Sequence, residues 1–489
     1  MTTSSPPEDQ LSSIASAAPA VPRLRGNLNT AQLVFTVLAF NAPLVIVIGF
    51  IPVLVGDGNG IGAPVAIIAC AAILGLFAVG FTTMSRHLPN PGGFYAYITA
   101  GLGKATGLGS SFIAVVCYYF SLVGTYAFAG LVLNSLVHDT YHGPALPWWI
   151  YSALMWVVTS VLGYFRLDLS AKVLSFFLAG ELTITTIYDL CVAVRGGANG
   201  LPLTSFTPHA IFSGSIGLAL MFAMGMFGGF EATAIFRDEV RRPARTVPRA
   251  TYLVIALVAV LYSLTTWLFI DGTGVTKVVA AAIADPTGSV KASIALYAGH
   301  WAVDVALVLV NTSCFATLLS AHNILSRYMY NLSADRILHR SLSGVHAQHG
   351  SPHRASIMTS ILALLGLLPF VLLRSDPNQV YTVLVGVYAY TFIALLFITC
   401  IAVPVYLHRH REPGVTLWKR LIAPALALIG LAVALLLSTR NFALLIGGSQ
   451  SLANAMFALV YGVFVVGVVM ALVYRRKRPD VYARIGRQE

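Results

Sequence analysis

The chain has 489 residues, 57% of them hydrophobic and only 10% charged, with a mean hydropathy of +0.80. Soluble domains run at about 25% charged residues, so water is excluded as the solvent for most of this surface. The formal net charge of +12 raises nucleic acid as a partner, a reading that the placement of the basic residues argues against.

The first 26 residues are rich in Ser, Pro and Ala, with an acidic pair at Glu8 and Asp9. They lack a basic stretch followed by an apolar one, so a disordered cytoplasmic tail is expected there rather than a cleaved signal. Apolar runs long enough to cross a bilayer, roughly 20 residues each, follow at 31–55, 63–83, 106–136, 147–165, 170–194, 213–236, 250–270, 302–330, 355–373, 379–407, 420–438 and 452–474. The expected fold is therefore all-α, an integral membrane protein of twelve transmembrane helices. Two more polar pieces, near 275–284 and 288–299, read as short helices in an external loop, and a basic tail occupies 475–489.

Lys and Arg orient the helices, because basic residues concentrate on the cytoplasmic side. With twelve spans, 25 of the 30 Lys and Arg fall on the side of both termini, against five opposite (Arg195, Lys277, Lys291, Arg374 and Arg440). Both termini are thus expected in the cytoplasm, and the excess charge sets topology instead of binding nucleic acid. The five cysteines lie inside apolar runs and form no metal or disulfide pattern. No metal site and no cofactor are expected.

Five spans form an odd-numbered unit, so a second copy sits inverted, giving repeats over 27–195 and 196–411 and two added helices over 412–474. The first and sixth spans then correspond, and both are interrupted. The first contains Phe40-Asn41-Ala42-Pro43, where proline removes a backbone donor and clashes with the preceding turn. The sixth contains Gly225, Gly228 and Gly229 with Phe227 and Phe230, followed by Glu231. Breaks at corresponding positions in two halves point to a transporter's central site. Half-helix N-termini there can hold an anion such as a carboxylate, and freed carbonyls can hold an ammonium.

These residues also carry a resemblance. Asn90-Pro91-Gly92-Gly93-Phe94-Tyr95, Phe227-Gly228-Gly229-Phe230-Glu231, and Glu239-Val240-Arg241-Arg242-Pro243 through Pro248-Arg249-Ala250 resemble signatures of the amino acid–polyamine–organocation permeases. Ser326-Arg327-Tyr328 and Ala334-Asp335-Arg336 echo another segment, so the likeness runs over roughly 27–475. It implies a leucine-transporter-type fold of ten core helices plus two, and secondary active transport of amino acids, often with protons. Two departures stand out. The first break lacks the glycine–serine–glycine type sequence that exposes N–H groups to a substrate carboxylate, which keeps polyamines and other organic cations open as substrates. Arg242 replaces the usual Asn or Asp of the cytoplasmic loop.

Charged groups at membrane depth are costly and default to functional candidates. Glu231 follows the second break; an apolar setting disfavours the charged form of a carboxyl, which suits proton coupling or gating. Glu181, in the middle of the fifth span, is a second titratable candidate near the place where several family members carry a lysine that stands in for sodium. Asp189 reads as interfacial. Tyr118 (beside Tyr119), Phe40, Phe227 and Phe230 are candidate aromatic contacts for substrate, and Ser313, Cys314 and Thr317 of the polar eighth span are candidate lining groups. The expected partners are a small amino acid or amine, a proton in preference to sodium, and the lipid bilayer of the inner membrane. Gly101-Leu102-Gly103-Lys104 lacks phosphate-loop spacing. No nucleophile or paired-acid constellation appears, so an enzyme is not expected; a sensor that binds without transport is the reading from another class.

Overall fold

A segment in lipid must satisfy its own backbone groups, which a helix does without help from neighbours. The computed structural model describes residues 28–88, 93–165, 171–235, 240–346, 351–410 and 414–486. Among them there is no strand, and the β pairing consists of one parallel bridge from Leu28 to Val240, where the Arg241 N–H donates to the Leu28 carbonyl at 3.2 Å.

Among the described residues ten helices are long and apolar enough to cross a membrane. One run, Thr30–His87, is 58 residues long and holds the first two predicted intervals. The sixth interval contributes only the ten-residue helix Ile216–Gly225 and the short Ala232–Ile235. The remaining long helices, from Lys104–Ser135 to Gln450–Lys477, fall on the predicted intervals. The two more polar pieces are helices as well, Val278–Ala284 and Pro286–Ala298. The second begins sharply because Pro286 is preset for a first turn and the Asp285 carboxylate accepts the Gly288 N–H at 2.9 Å.

Lipid-solvated helices gain nothing from hiding apolar surface from one another, so close packing is built on small residues. A Cβ on Gly467 would come within 2.7 Å of the Gly109 Cα, which brings the helices Gln450–Lys477 and Lys104–Ser135 together backbone to backbone. Large apolar side chains meanwhile point outward, among them Leu154, Val157 and Val161 on Trp148–Phe165 and Ile429, Val433 and Leu436 on Ala423–Leu445. That inverted exposure suits a hydrocarbon solvent. The polar interior is held instead by the two interrupted helices and the helices Lys104–Ser135, Ala171–Arg195, Pro243–Thr273, His300–Ala334 and Pro377–His410.

Candidate functional site

The first break has a local cause. The helix Thr30–Asn41 starts on a capping box, in which Asn29 and Gln32 exchange hydrogen bonds of 2.9 Å in both directions. It stops at Ala42, whose φ of 54° and ψ of 73° place a non-glycine residue in the left-handed region. Pro43 then opens a new helical run over 43–59 that mixes α and π turns, and its missing N–H removes one donor from the new N-terminus.

The second break follows Gly225. Residues 226–231 form successive turns, Gly229 adopts a φ of 99°, and the helix resumes at Ala232. Small residues are required by crowding: a Cβ on Gly225 would meet the Ala389 Cβ at 2.9 Å, and one on Gly228 would collide with the Tyr388 hydroxyl. Where the freed backbone groups go can be counted, since buried ones need partners. Asn41 Nδ2 donates to the carbonyls of Met226 at 2.7 Å and Gly228 at 3.1 Å, so the two breaks meet through one side chain. The Tyr388 hydroxyl donates to the Gly225 carbonyl at 3.4 Å. Tyr262, from Pro243–Thr273, donates its hydroxyl to Asn41 Oδ1.

Each break also carries a buried carboxyl. Glu231, 4% exposed, accepts the Gly229 N–H at 2.9 Å and the Tyr118 hydroxyl at 3.3 Å. Glu181, 3% exposed, accepts the Leu44 N–H at 3.0 Å, the first N–H after Pro43, and Ser313 lies near the same carboxyl. Glu181 therefore caps the second half of the first interrupted helix.

Between the breaks lies a cavity of about 60 Å³, room for only a few water molecules. Asn41, Ala42, Tyr118, Gly225, Gly228, Gly229 and Glu231 line it, together with the rings of Phe50, Tyr381, Tyr388 and Phe392 and the hydroxyls of Ser121, Thr125 and Thr317. Among the described residues no Lys, Arg or His lines it.

The remaining sequence-named residues fall elsewhere. Phe227 and Phe230 are buried, and Phe230 packs against Phe77 and Phe81 at centroid distances of 6.0 and 6.2 Å, away from the cavity. Ser313 lies near Glu181 and does not line the cavity, and Cys314 is fully buried in the core. Pro43 opens the run without lining the cavity. The Phe40 side chain lies outside the described residues, as do Asn90 to Gly92 and Glu239. Tyr119 turns away and donates to the Leu362 carbonyl at 3.2 Å. Asp189 is 6% exposed and accepts the Thr265 hydroxyl at 2.8 Å. Lys104, set aside as a phosphate ligand, donates to the carbonyls of Tyr482 at 3.0 Å and Ala483 at 2.6 Å, clasping the C-terminal helix Pro479–Arg484.

Sequence reasoning missed Phe50, Tyr262, Tyr381, Tyr388 and Phe392. For three of these a signal existed: Tyr381, Tyr388 and Phe392, with Val385, repeat at helical spacing along one face of Pro377–His410.

Residues 34–481 match the amino acid permease family. An uncharacterized transporter of Rhizobium meliloti is 28% identical over 295 residues, covering 57% of this chain and 58% of the relative. An uncharacterized transporter of Mycobacterium tuberculosis is 24% identical over 307 residues, covering 63% and 66%. The low-affinity putrescine importer PlaP of Escherichia coli is 23% identical over 310 residues, covering 60% and 65%. The chain thus spans less than two thirds of the length of each of these relatives. Matched over nearly its whole length, and with ten helices among the described residues long and apolar enough to cross a membrane, the chain belongs to the amino acid permease family.

Proposed function

We propose that this transporter carries an amino acid or a related amine by secondary active transport, coupled to protons, with its central site between the two helix breaks. The arrangement proposed with it is twelve transmembrane helices, as two inverted five-helix repeats over 27–195 and 196–411 and two further helices over 412–474. Both termini face the cytoplasm and the chain sits in the inner membrane, in keeping with the distribution of Lys and Arg. Alternating access then rocks one set of helices against the other around the fixed site.

The observation that carries this reading is the pair of hydrogen bonds from Asn41 to Met226 and Gly228. They bring both interruptions to one small cavity, with Glu231 on its wall. Glu231 is the coupling residue: its carboxyl joins a backbone N–H of the second break to Tyr118 of the helix Lys104–Ser135, so a change in its protonation alters a contact between moving parts. The test is uptake into proteoliposomes under an imposed pH gradient. Glu231→Gln retains an acceptor for Gly229, and gradient-driven accumulation is lost. Accumulation at the wild-type level would remove Glu231 from coupling.

A second reading, a polyamine or another organic cation as substrate, is favoured by the lining of one carboxyl and several tyrosines without a basic side chain. One relative is named as a putrescine importer.

A further inference from the structure

A substrate carboxylate needs donors. At an interrupted helix these are the first free N–H groups of the new N-terminus, where the helix dipole also favours negative charge. In this chain those donors face the chain's own acids. Pro43 has no N–H, and the Leu44 N–H is held by Glu181 at 3.0 Å. The Gly229 N–H is held by Glu231 at 2.9 Å. The two amide hydrogens of Asn41 are engaged by the Met226 and Gly228 carbonyls. Among the described lining residues there is no Lys, Arg or His to offset a further negative charge.

We infer that Glu181 fills, from within the chain, the seat that a substrate carboxylate would take at the first break, and that the transported solute is an organic amine without a carboxylate. This rests on the transporter reading above and narrows its substrate class. Glu181 is the specificity-determining residue. It reaches the first break from the helix Ala171–Arg195, with Ser313 of His300–Ala334 nearby, so it belongs to the scaffold around the cavity and stays when substrate leaves.

The same cavity suits an ammonium. Glu231 supplies the opposite charge, and the rings of Tyr118, Tyr381 and Tyr388 supply faces for cation–π contact. Among the described residues the buried Tyr381 hydroxyl has no hydrogen-bond partner, and its ring lines the cavity, so it is placed to accept from an ammonium N–H. A carboxylate entering this space instead meets an acid at both breaks and finds the Leu44 and Gly229 N–H groups already taken.

The test compares pairs of ligands that differ only by a carboxylate: putrescine with ornithine, cadaverine with lysine, and agmatine with arginine. Purified full-length protein is titrated with each, binding is read by thermal shift, and uptake is read in proteoliposomes. For at least one pair the amine binds about tenfold or more tightly than its amino acid. Equal or tighter binding of the amino acid in every pair that binds overturns the inference while leaving an amino acid transporter intact. Binding of neither member of any pair overturns the amine and amino acid reading itself, and the inference with it. Glu181→Ala then assigns the residue. Opening the seat narrows the gap within the pair, and an unchanged gap in a folded variant removes Glu181 from discrimination. Because the wild-type comparison stands alone, a variant that fails to fold leaves the substrate class decided.

Discussion

Tyr262 donates its hydroxyl to Oδ1 of Asn41, and the amide of the same asparagine reaches the carbonyls of Met226 and Gly228. One side chain therefore joins three elements: the end of Thr30–Asn41, the turns of the second break, and the helix Pro243–Thr273. Both hydrogens and one acceptor position of Asn41 are used, which fixes which way the amide points.

Removing this link has a graded cost. Tyr262→Phe leaves Oδ1 of a buried Asn41 without its donor, an effect of about 1–3 kcal/mol. Asn41→Ala strips the Met226 and Gly228 carbonyls as well and destabilises more. The double variant is little worse than Asn41→Ala alone, because both changes remove the same contact. Thermal unfolding of the four purified proteins measures this, and full additivity would show that the two residues act separately.

Ala42 holds a left-handed conformation that a Cβ opposes by roughly 1–2 kcal/mol. Ala42→Gly removes that opposition and raises the midpoint of thermal unfolding, whereas the branched Ala42→Val lowers it. A lowered midpoint for the glycine variant would mean that the break does not need the left-handed turn.

Outside the membrane-spanning helices, Asp335 follows His300–Ala334, near Lys104 and Arg484. Burial pushes its carboxyl up to about 6 from 3.8, although both cations pull the other way. A raised acid pKa means that the folded chain binds the proton more tightly than the unfolded one. The contribution of Asp335 to stability thus falls as pH rises from about 4 to about 6 and is level above that. Asp335→Asn abolishes this slope and raises the unfolding midpoint at pH 7 relative to wild type. A profile of unfolding midpoint against pH that is identical in the two proteins would show that Asp335 does not titrate in this window.

Much of the helical framework is legible along the chain, because each apolar run answers to the solvent around it. The breaks are legible as well: Pro43 acts within one turn, and Gly225, Gly228 and Gly229 relax the chain where they stand. What the break residues touch is less legible. Phe227 and Phe230 flank the second break in sequence, yet the turn that frees the backbone sends Phe230 against Phe77 and Phe81. Tyr262 supports the site without a local mark, and the helical spacing of Tyr381 and Tyr388 is easily passed over in a chain with 21 Tyr and 26 Phe competing for notice.

The amino-acid sequence by itself determined that this chain lives in lipid, where its helices run, and where two of them must stop, because hydropathy, proline and glycine act over a few residues. Only the tertiary structure decided that Glu181 meets Leu44 across 137 positions and that Asn41 meets Met226 across 185. Such pairings depend on how helices far apart in sequence lie against one another, and on which buried donor is left for each buried acceptor.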